Sequence, residues 1–314
     1  MPLSVPPASN LTVVIPAWNE EAGIGKTLDM LAGEPRLSGA EVIVVDDGSA
    51  DRTARIAAEH GARVIRNWAN LGYGASLKRG VRAARSELVA WFDADGQHHP
   101  ADLADMVETL RRERARAVIG ARDAASHRVK GRQWGKRVIK WAAEAAVGRK
   151  IPDVNCGLRV FQRRALSRYL DLLPNGFSAS TTSTLLLMKH NAHLVFHPVR
   201  AAKRIGQSSV RPLRDGLRTL HTILRITVMF NAIKAFSLLA GLMILAGLVY
   251  GVVLGAIIGQ GFPVLAAVTV LMGVQVFCLG VVCDQVSAMR LERLGGAEGD
   301  GEREPAEEPT RKAA

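Results

Sequence analysis

Two aspartates one residue apart, Asp93 and Asp95, follow the run Leu88-Val89-Ala90-Trp91-Phe92 in a chain of 314 residues. The run carries no charge and reads as a strand covered on both faces. Acids at the mouth of such a strand need a partner, because taking a charge out of water is expensive. Hard carboxylate oxygens suit Mg²⁺ or Mn²⁺. With only Ala94 between them, the two side chains straddle the strand end and are placed to share a metal or a metal-bound diphosphate. A plain acidic turn would have the same D-x-D spelling, so the neighbours must decide.

Those neighbours form a repeating pattern of strand, polar cluster and helix. Strands are expected at Leu11–Pro16, Glu41–Val45, Ala62–Arg66, Leu88–Phe92 and Ala117–Ile119. Helices are expected at Glu20–Leu31, Asp51–His60, Gly72–Ala84 and Pro100–Arg114. Alternation of this kind implies an α/β fold with a mostly parallel sheet covered on both faces. Ligands of such sheets sit at the carboxyl ends of the strands. The polar clusters occupy that edge: Ala17 to Glu20, Asp46 to Ser49, Asp93 to Gln97, and Arg122-Asp123. His127 to Lys150 is basic and mostly helical by pattern. Structure resumes over Asn155–Arg164, and a strand followed by a polar loop is expected over His193–Arg204.

The C-terminal third reads differently. Ala235–Ile258 and Phe262–Cys283 contain no charged residue, and about 20 apolar residues suffice for a helix to cross a hydrocarbon core. Gly259-Gln260-Gly261 between them implies a helical hairpin. Lys234 and Arg225 precede the first span, Arg290 and Arg293 follow the second, and the link carries no basic residue. The positive-inside rule then puts both flanks, both termini and the N-terminal domain in the cytoplasm. Residues 212–234 make an amphipathic helix. Leu213, Leu217, Leu220, Leu224 and Val228 form one stripe, and Arg214, Arg218, His221 and Arg225 another. The pattern fits a helix in the headgroup plane and an ordinary packed surface helix equally. Residues 1–10 and 284–314 read as loose tails. Gly241, Gly247, Gly251 and Gly255 fit packing within the hairpin or against other copies of the chain, a route to a homo-oligomer.

Net charge is +12 and aromatic content 5%. Basic balance suits nucleic acid, anionic lipid or phosphorylated substrates and does not choose among them. Few aromatics and no recognised module argue against nucleic acid. Three cysteines, two of them in the second span, exclude a disulfide framework and leave Cys156 as a reduced core residue.

Thr12-Val13-Val14-Ile15-Pro16-Ala17-Trp18-Asn19-Glu20-Glu21, Glu41 through Thr53 (EVIVVDDGSADRT) and Trp91 through Pro100 (WFDADGQHHP) together resemble the inverting family 2 glycosyltransferases. Within them they are most similar to the dolichol-phosphate mannosyltransferase and polyprenyl-phosphate glycosyltransferase branch, over about Leu11 to Arg211. The resemblance implies a GT-A, Rossmann-like domain over 11–211, a nucleotide-sugar donor, Mg²⁺ or Mn²⁺, and a polyprenyl or dolichyl phosphate acceptor at the lipid bilayer. It assigns donor binding to Pro16, Ala17, Asn19, Glu20, Asp46, Asp47, Gly72, Asp93, Ala94, Asp95 and Gln97, with the metal on Asp93 and Asp95. It assigns the acceptor phosphate to Arg122, Lys136, Arg137, Arg204 and Ser208, and catalysis to Asp95, Arg122 and Arg204. Lys78 reads as solvated surface. His98 and His99 are adjacent and cannot face one site, so both are expected to be structural or hydrogen-bonding residues.

The sequence departs from the pattern after Gly176-Phe177. Many relatives carry a glutamate a few residues on, whereas Ser178-Ala179-Ser180-Thr181-Thr182-Ser183-Thr184 has no acid. A phosphate monoester is largely dianionic at pH 7 and scarcely needs the base that a sugar hydroxyl would need. The missing acid therefore agrees with a lipid-phosphate acceptor. The competing expectations are a glycan or glycolipid hydroxyl acceptor on the same fold, and a non-catalytic nucleotide-sugar-binding membrane scaffold.

Overall fold

A computed structural model describes residues 10–123, 133–202, 212–258 and 262–295, with the backbone alone for 133–136, 212–215, 218, 225–231, 258 and 290–295. The chain divides into two compact units, Met1–Ile226 and Thr227–Ala314.

In the first unit seven strands form one sheet: β1 (Leu11–Ala17), β2 (Glu41–Asp46), β3 (Arg63–Arg66), β4 (Leu88–Trp91), β5 (Ala117–Arg122), β6 (Arg159–Gln162) and β7 (Leu194–Val199). Their order is β3-β2-β1-β4-β6-β5-β7. β3, β2, β1 and β4 run parallel, as do β5 and β7, while β6 lies antiparallel to both β4 and β5. The sheet is therefore mostly parallel, as expected. The helices are α1 (Ile24–Ala32), α2 (Thr53–Glu59), α3 (Tyr73–Ala83), α4 (Pro100–Arg112), α5 (Gln133–Val147), α6 (Arg163–Ser167) and α7 (Ala179–Lys189).

The apolar runs become buried strands because each is covered. All seven residues of β1 and all four of β4 are buried. Leu11, Val13, Ile15, Ala90, Phe92, Leu103, Met106, Val118 and Val160 join one core cluster, each large side chain contributing about 1.5–3 kcal/mol by leaving water. Register aligns the strand ends that matter: Ala17 pairs with Asp46, and Asp46 with Arg66. The Phe92 N–H continues past β4 to the Val14 carbonyl, so Asp93 begins where pairing stops.

Two later helices depart from the expected boundaries. α8 runs unbroken over Pro212–Ile258, so the segment expected as a separate interfacial helix continues into the first span. α9 covers Val264–Gly295; it passes Asp284, where a tail was expected to begin, because Gln285 to Leu294 keeps good helix formers. Within them, Ala232–Ile257 and Val264–Met289 are long and apolar enough to cross a membrane. In the second unit α8 and α9 pack as a hairpin. A Cβ on Gly247 would lie 2.8 Å from Val270, and one on Gly273 would lie 2.6 Å from Ile244. Small residues here let the helix backbones approach. Gly251 likewise faces Phe262, whereas Gly241 has open space around it.

Candidate active site

The ends of β1 and β2 are built as one cross-tied rim. Asn19 takes a left-handed φ of 52°, which its short polar side chain tolerates. Its side-chain oxygen accepts from the Ala50 N–H at 2.9 Å, and its own N–H donates to Ser49 Oγ at 2.9 Å. The Glu20 N–H donates to Thr53 Oγ1. Pro16 and Ala17 are buried at the end of β1, where the Ala17 carbonyl accepts from the Asp47 N–H at 2.8 Å.

Asp46 and Asp47 are buried and committed to the protein itself. Asp46 Oδ1 accepts from the Ser49 N–H, and Oδ2 lies 3.1 Å from Arg66 Nε, an ion pair without a hydrogen bond's alignment. Asp47 Oδ1 accepts from Asn67 Nδ2 at 2.6 Å and the Leu71 N–H at 3.0 Å, and Oδ2 accepts from the Gly72 N–H at 2.8 Å. Asp47 is thus the post around which 67–72 is wound. Gly72 is required where it stands: its φ is 104°, and a Cβ would meet the Asn175 carbonyl oxygen at 2.4 Å. That carbonyl accepts from the N–H groups of Gly74 and Ala75 at the start of α3. Lys78 departs from the solvated role expected for it. Its ammonium donates to the Leu173 carbonyl at 3.1 Å and to Asn175 Oδ1 at 2.6 Å, fastening 173–175 to α3.

Beyond β4, Asp93 Oδ1 accepts from the Tyr73 hydroxyl at 3.0 Å. Burial, and then the Asp93 charge, holds the Tyr73 phenol well above its ordinary pKa, so it stays a donor. Tyr73 also stacks on Phe177 at 5.4 Å. Gly157 faces Asp93 so closely that a Cβ would lie 2.1 Å from Oδ2. Asp95 is buried, and its Oδ1 accepts from the Gln97 N–H at 3.1 Å. Ala94 is buried between them, with its carbonyl accepting from Thr27 Oγ1. Gln97 pairs with the chain after β7: the Ala202 N–H donates to its carbonyl at 2.8 Å, and Nε2 reaches the Ala202 carbonyl. His98 is buried, 3.9 Å from Asp93 Oδ2 through Nε2, with no hydrogen-bond partner for Nδ1. Burial lowers its pKa to about 4, so the ring is neutral. His99 is exposed.

Arg122, at the end of β5, is held by an acid that sequence reasoning passed over. Its Nε and Nη2 donate to Asp153 Oδ2 and Oδ1 at 2.6 and 2.9 Å, a bidentate pair. Burial alone would lower the guanidinium's pKa, but Asp153 outweighs it and the pKa is raised. Burial likewise would raise the Asp153 carboxyl, and Arg122 holds it below its usual value. A second missed residue is Arg159 in β6, fully buried. Its Nε donates to the Cys156 carbonyl, Nη2 to the Val154 carbonyl, and Nη1 to Ser183 Oγ and Thr184 Oγ1 of α7. The acid-free run Ser178–Thr184 is buried throughout, and two of its hydroxyls, those of Ser183 and Thr184, face this arginine. A buried cation normally demands a partner, and only the tertiary arrangement reveals that Arg159 is buried. Cys156 is a free, buried thiol, pushed by burial up to about 12.

The expected acceptor residues are not brought together within the described residues. Arg137 is exposed on α5. Lys136 lies in α5 with its side chain outside the described residues, and Arg204 and Ser208 also fall outside them. Among the described residues no three His, Cys, Asp or Glu side chains converge on a metal-sized space. The D-x-D pair therefore suits a cation that takes its other ligands from a substrate diphosphate and water, as Mg²⁺ commonly does.

Comparison with known proteins agrees with the fold and with the C-terminal hairpin. The glycosyl transferase family 2 signature matches residues 12–170, and that of the GtrB C-terminal hairpin matches 233–289. An uncharacterized protein of Methanocaldococcus jannaschii is 33% identical over 196 residues, covering 60% of this chain and 79% of that one. An undecaprenyl-phosphate 4-deoxy-4-formamido-L-arabinose transferase of Pseudomonas aeruginosa is 29% identical over 309 residues, covering 90% and 86%. Among solved structures, glucosyl-3-phosphoglycerate synthase from Mycobacterium tuberculosis, in complex with Mn²⁺, UDP and glucosyl-3-phosphoglycerate, superposes with a TM-score of 0.56. It is 22% identical and covers 69% of this chain and 80% of that one, a likeness of fold.

Proposed function

The chain belongs to glycosyl transferase family 2, and from that premise we propose that it is a membrane-anchored inverting enzyme that moves one sugar from a nucleotide sugar to the phosphate of a polyprenyl monophosphate. The observation that carries the reading is the pairing of Asp93 and Asp95 beyond β4 with an apolar helical hairpin in the same chain. A relative that covers 90% of the chain is named for transfer to an undecaprenyl phosphate. Leu217, Leu220 and Leu224, the stripe ahead of the first span, are exposed, which suits contact with lipid. Basic residues on both flanks of the hairpin support a cytoplasmic position for the catalytic domain and both termini.

Asp93 and Asp95 would hold Mg²⁺ or Mn²⁺ on the donor diphosphate. When bound, that ion neutralises charge growing on the leaving group. The rim of Pro16, Ala17, Asn19 and Glu20 receives the nucleoside, with Asp46 and Asp47 shaping it from beneath and Gly72 admitting the 173–176 segment. Tyr73 and Gly157 fix the Asp93 carboxylate, and Gln97 couples the acidic loop to the chain leading into Arg204. Arg122, aimed by Asp153, retains N–H groups for the acceptor phosphate, together with Lys136, Arg137, Arg204 and Ser208. The phosphate attacks the anomeric carbon from the face opposite the leaving diphosphate. No residue must remove a proton from a dianionic nucleophile, which agrees with the hydroxyl-rich, acid-free start of α7. Catalysis then rests on positioning and electrostatics.

The test is a donor screen: purified full chain, Mn²⁺ or Mg²⁺, a panel of nucleotide sugars, and a short polyprenyl phosphate. An acid-labile lipid-linked sugar phosphate is the expected product. Transfer only to glycan hydroxyls, or donor binding with no turnover on any acceptor, would refute the reading.

A further inference from the structure

Arg159 is a charge in an unusual setting. It is fully buried, and all four groups that accept its hydrogen bonds are neutral: two backbone carbonyls and the hydroxyls of Ser183 and Thr184. Those hydroxyls are oriented as acceptors, because both spend their own protons on the Ser180 carbonyl, at 3.0 and 3.2 Å. Burial works to lower the Arg159 pKa, and Cys156, Tyr73, Asp153 and Asp93 oppose it. Asp153 and Asp93 are the carboxylates that face the guanidinium. Asp153 is engaged bidentately by Arg122. Asp93 accepts from the Tyr73 hydroxyl and faces Arg122 as well, and neither carboxylate is among the four groups that accept from Arg159. The segment leading into β6 and Arg159 also touches Asp93, through Gly157.

We propose that Arg159 is a positioning residue: its charge, caged in hydroxyls and not cancelled by an acid, acts through Asp93 on the place where the donor diphosphate departs, and the Ser/Thr face of α7 is what keeps that charge available. This rests on the proposed assignment of Asp93 and Asp95 to the metal-bound diphosphate. An acid on α7 would pair with Arg159 and silence it. A purely structural Arg159, one that only pins the Val154 and Cys156 carbonyls, would be indifferent to a charge added on its far side.

The experiment leaves Arg159 in place and changes its cage. Thr184→Asp and Thr184→Asn have nearly the same shape and differ in charge. Binding of UDP, and separately GDP, with Mn²⁺ is measured by calorimetry on the full chain in detergent, alongside the melting temperature. The expected result is that Thr184→Asp binds nucleoside diphosphate at least about tenfold more weakly than Thr184→Asn, while melting no lower. Equal affinities in the two variants overturn the inference and leave the donor-site reading standing. Failure of the wild-type chain to bind either nucleotide overturns the donor-site reading and the inference with it. Should the Thr184 variants lose cooperative melting, Ser183→Asp against Ser183→Asn is read in the same way.

Discussion

The two halves of the sheet solve opposite electrostatic problems. In the parallel half, β3-β2-β1-β4, acids meet the protein's own donors: Asp47 alone accepts from Asn67, Leu71 and Gly72. In the half organised by antiparallel β6, one arginine, half-buried, is held by Asp153, and another is fully buried against hydroxyls. The first half stores no unspent charge at Asp47 and serves as a rigid rim. The second half holds positive charge that acts on Asp93. A site meant to release a diphosphate needs both, a fixed frame and a field that favours negative charge.

Substitutions can break or sharpen this contrast. Asp95→Ala should lower transfer by about 10³-fold with the fold intact, measured as lipid-linked product with saturating metal and checked by circular dichroism. Asp47→Ala should act on stability instead. It strands three donors, and at about 1–3 kcal/mol for each buried donor left unsatisfied the domain should lose at least about 3 kcal/mol, read from denaturant unfolding. If Asp47→Ala melted normally but lost donor binding, the rim would be a ligand contact and not a frame.

Acid should separate the halves too. The folded His98 titrates at about 4, against an ordinary 6.5. The unfolded chain therefore binds the extra proton first, and stability falls as pH drops from 6.5 towards 4, by up to about 3 kcal/mol. His98→Phe should flatten the pH dependence of the melting temperature across that window. Gly157→Ala pushes a methyl into Asp93 Oδ2, and a displacement of about 1 Å at a reacting centre can cost about 10²-fold in rate. Its signature is lost transfer with near-normal melting. Asp153→Asn keeps the shape beside Arg122 but removes the charge, and should cost about 2 kcal/mol and loosen the acceptor side, seen as a raised KM for polyprenyl phosphate.

Much of the first half was legible residue by residue. Apolar runs at Leu11, Glu41 and Leu88 announce strands, and polar clusters directly after them mark the ligand edge. Asp93 and Asp95 stand out because acids follow a run that must be buried. The second half was opaque for a physical reason. β6 is four residues long and begins with Arg159, a residue type that ordinarily marks surface. Whether it is buried depends on hydroxyls 24 and 25 positions away. Asp153 gives no local sign that it will meet Arg122, 31 residues earlier. Lys78 misled for the same reason, since its partners lie at 173 and 175.

Sequence by itself determined the alternating sheet, the acid pair at its edge, the family and the apolar hairpin, because each is written in short-range periodicity or in a contiguous motif. Only the tertiary structure decided that Asp47 is spent as a frame, that Asp153 aims Arg122, and that Arg159 lies buried among hydroxyls. Those outcomes depend on contacts between residues far apart in the chain, and it is folding that sets both the partner and the dielectric that give a charge its strength.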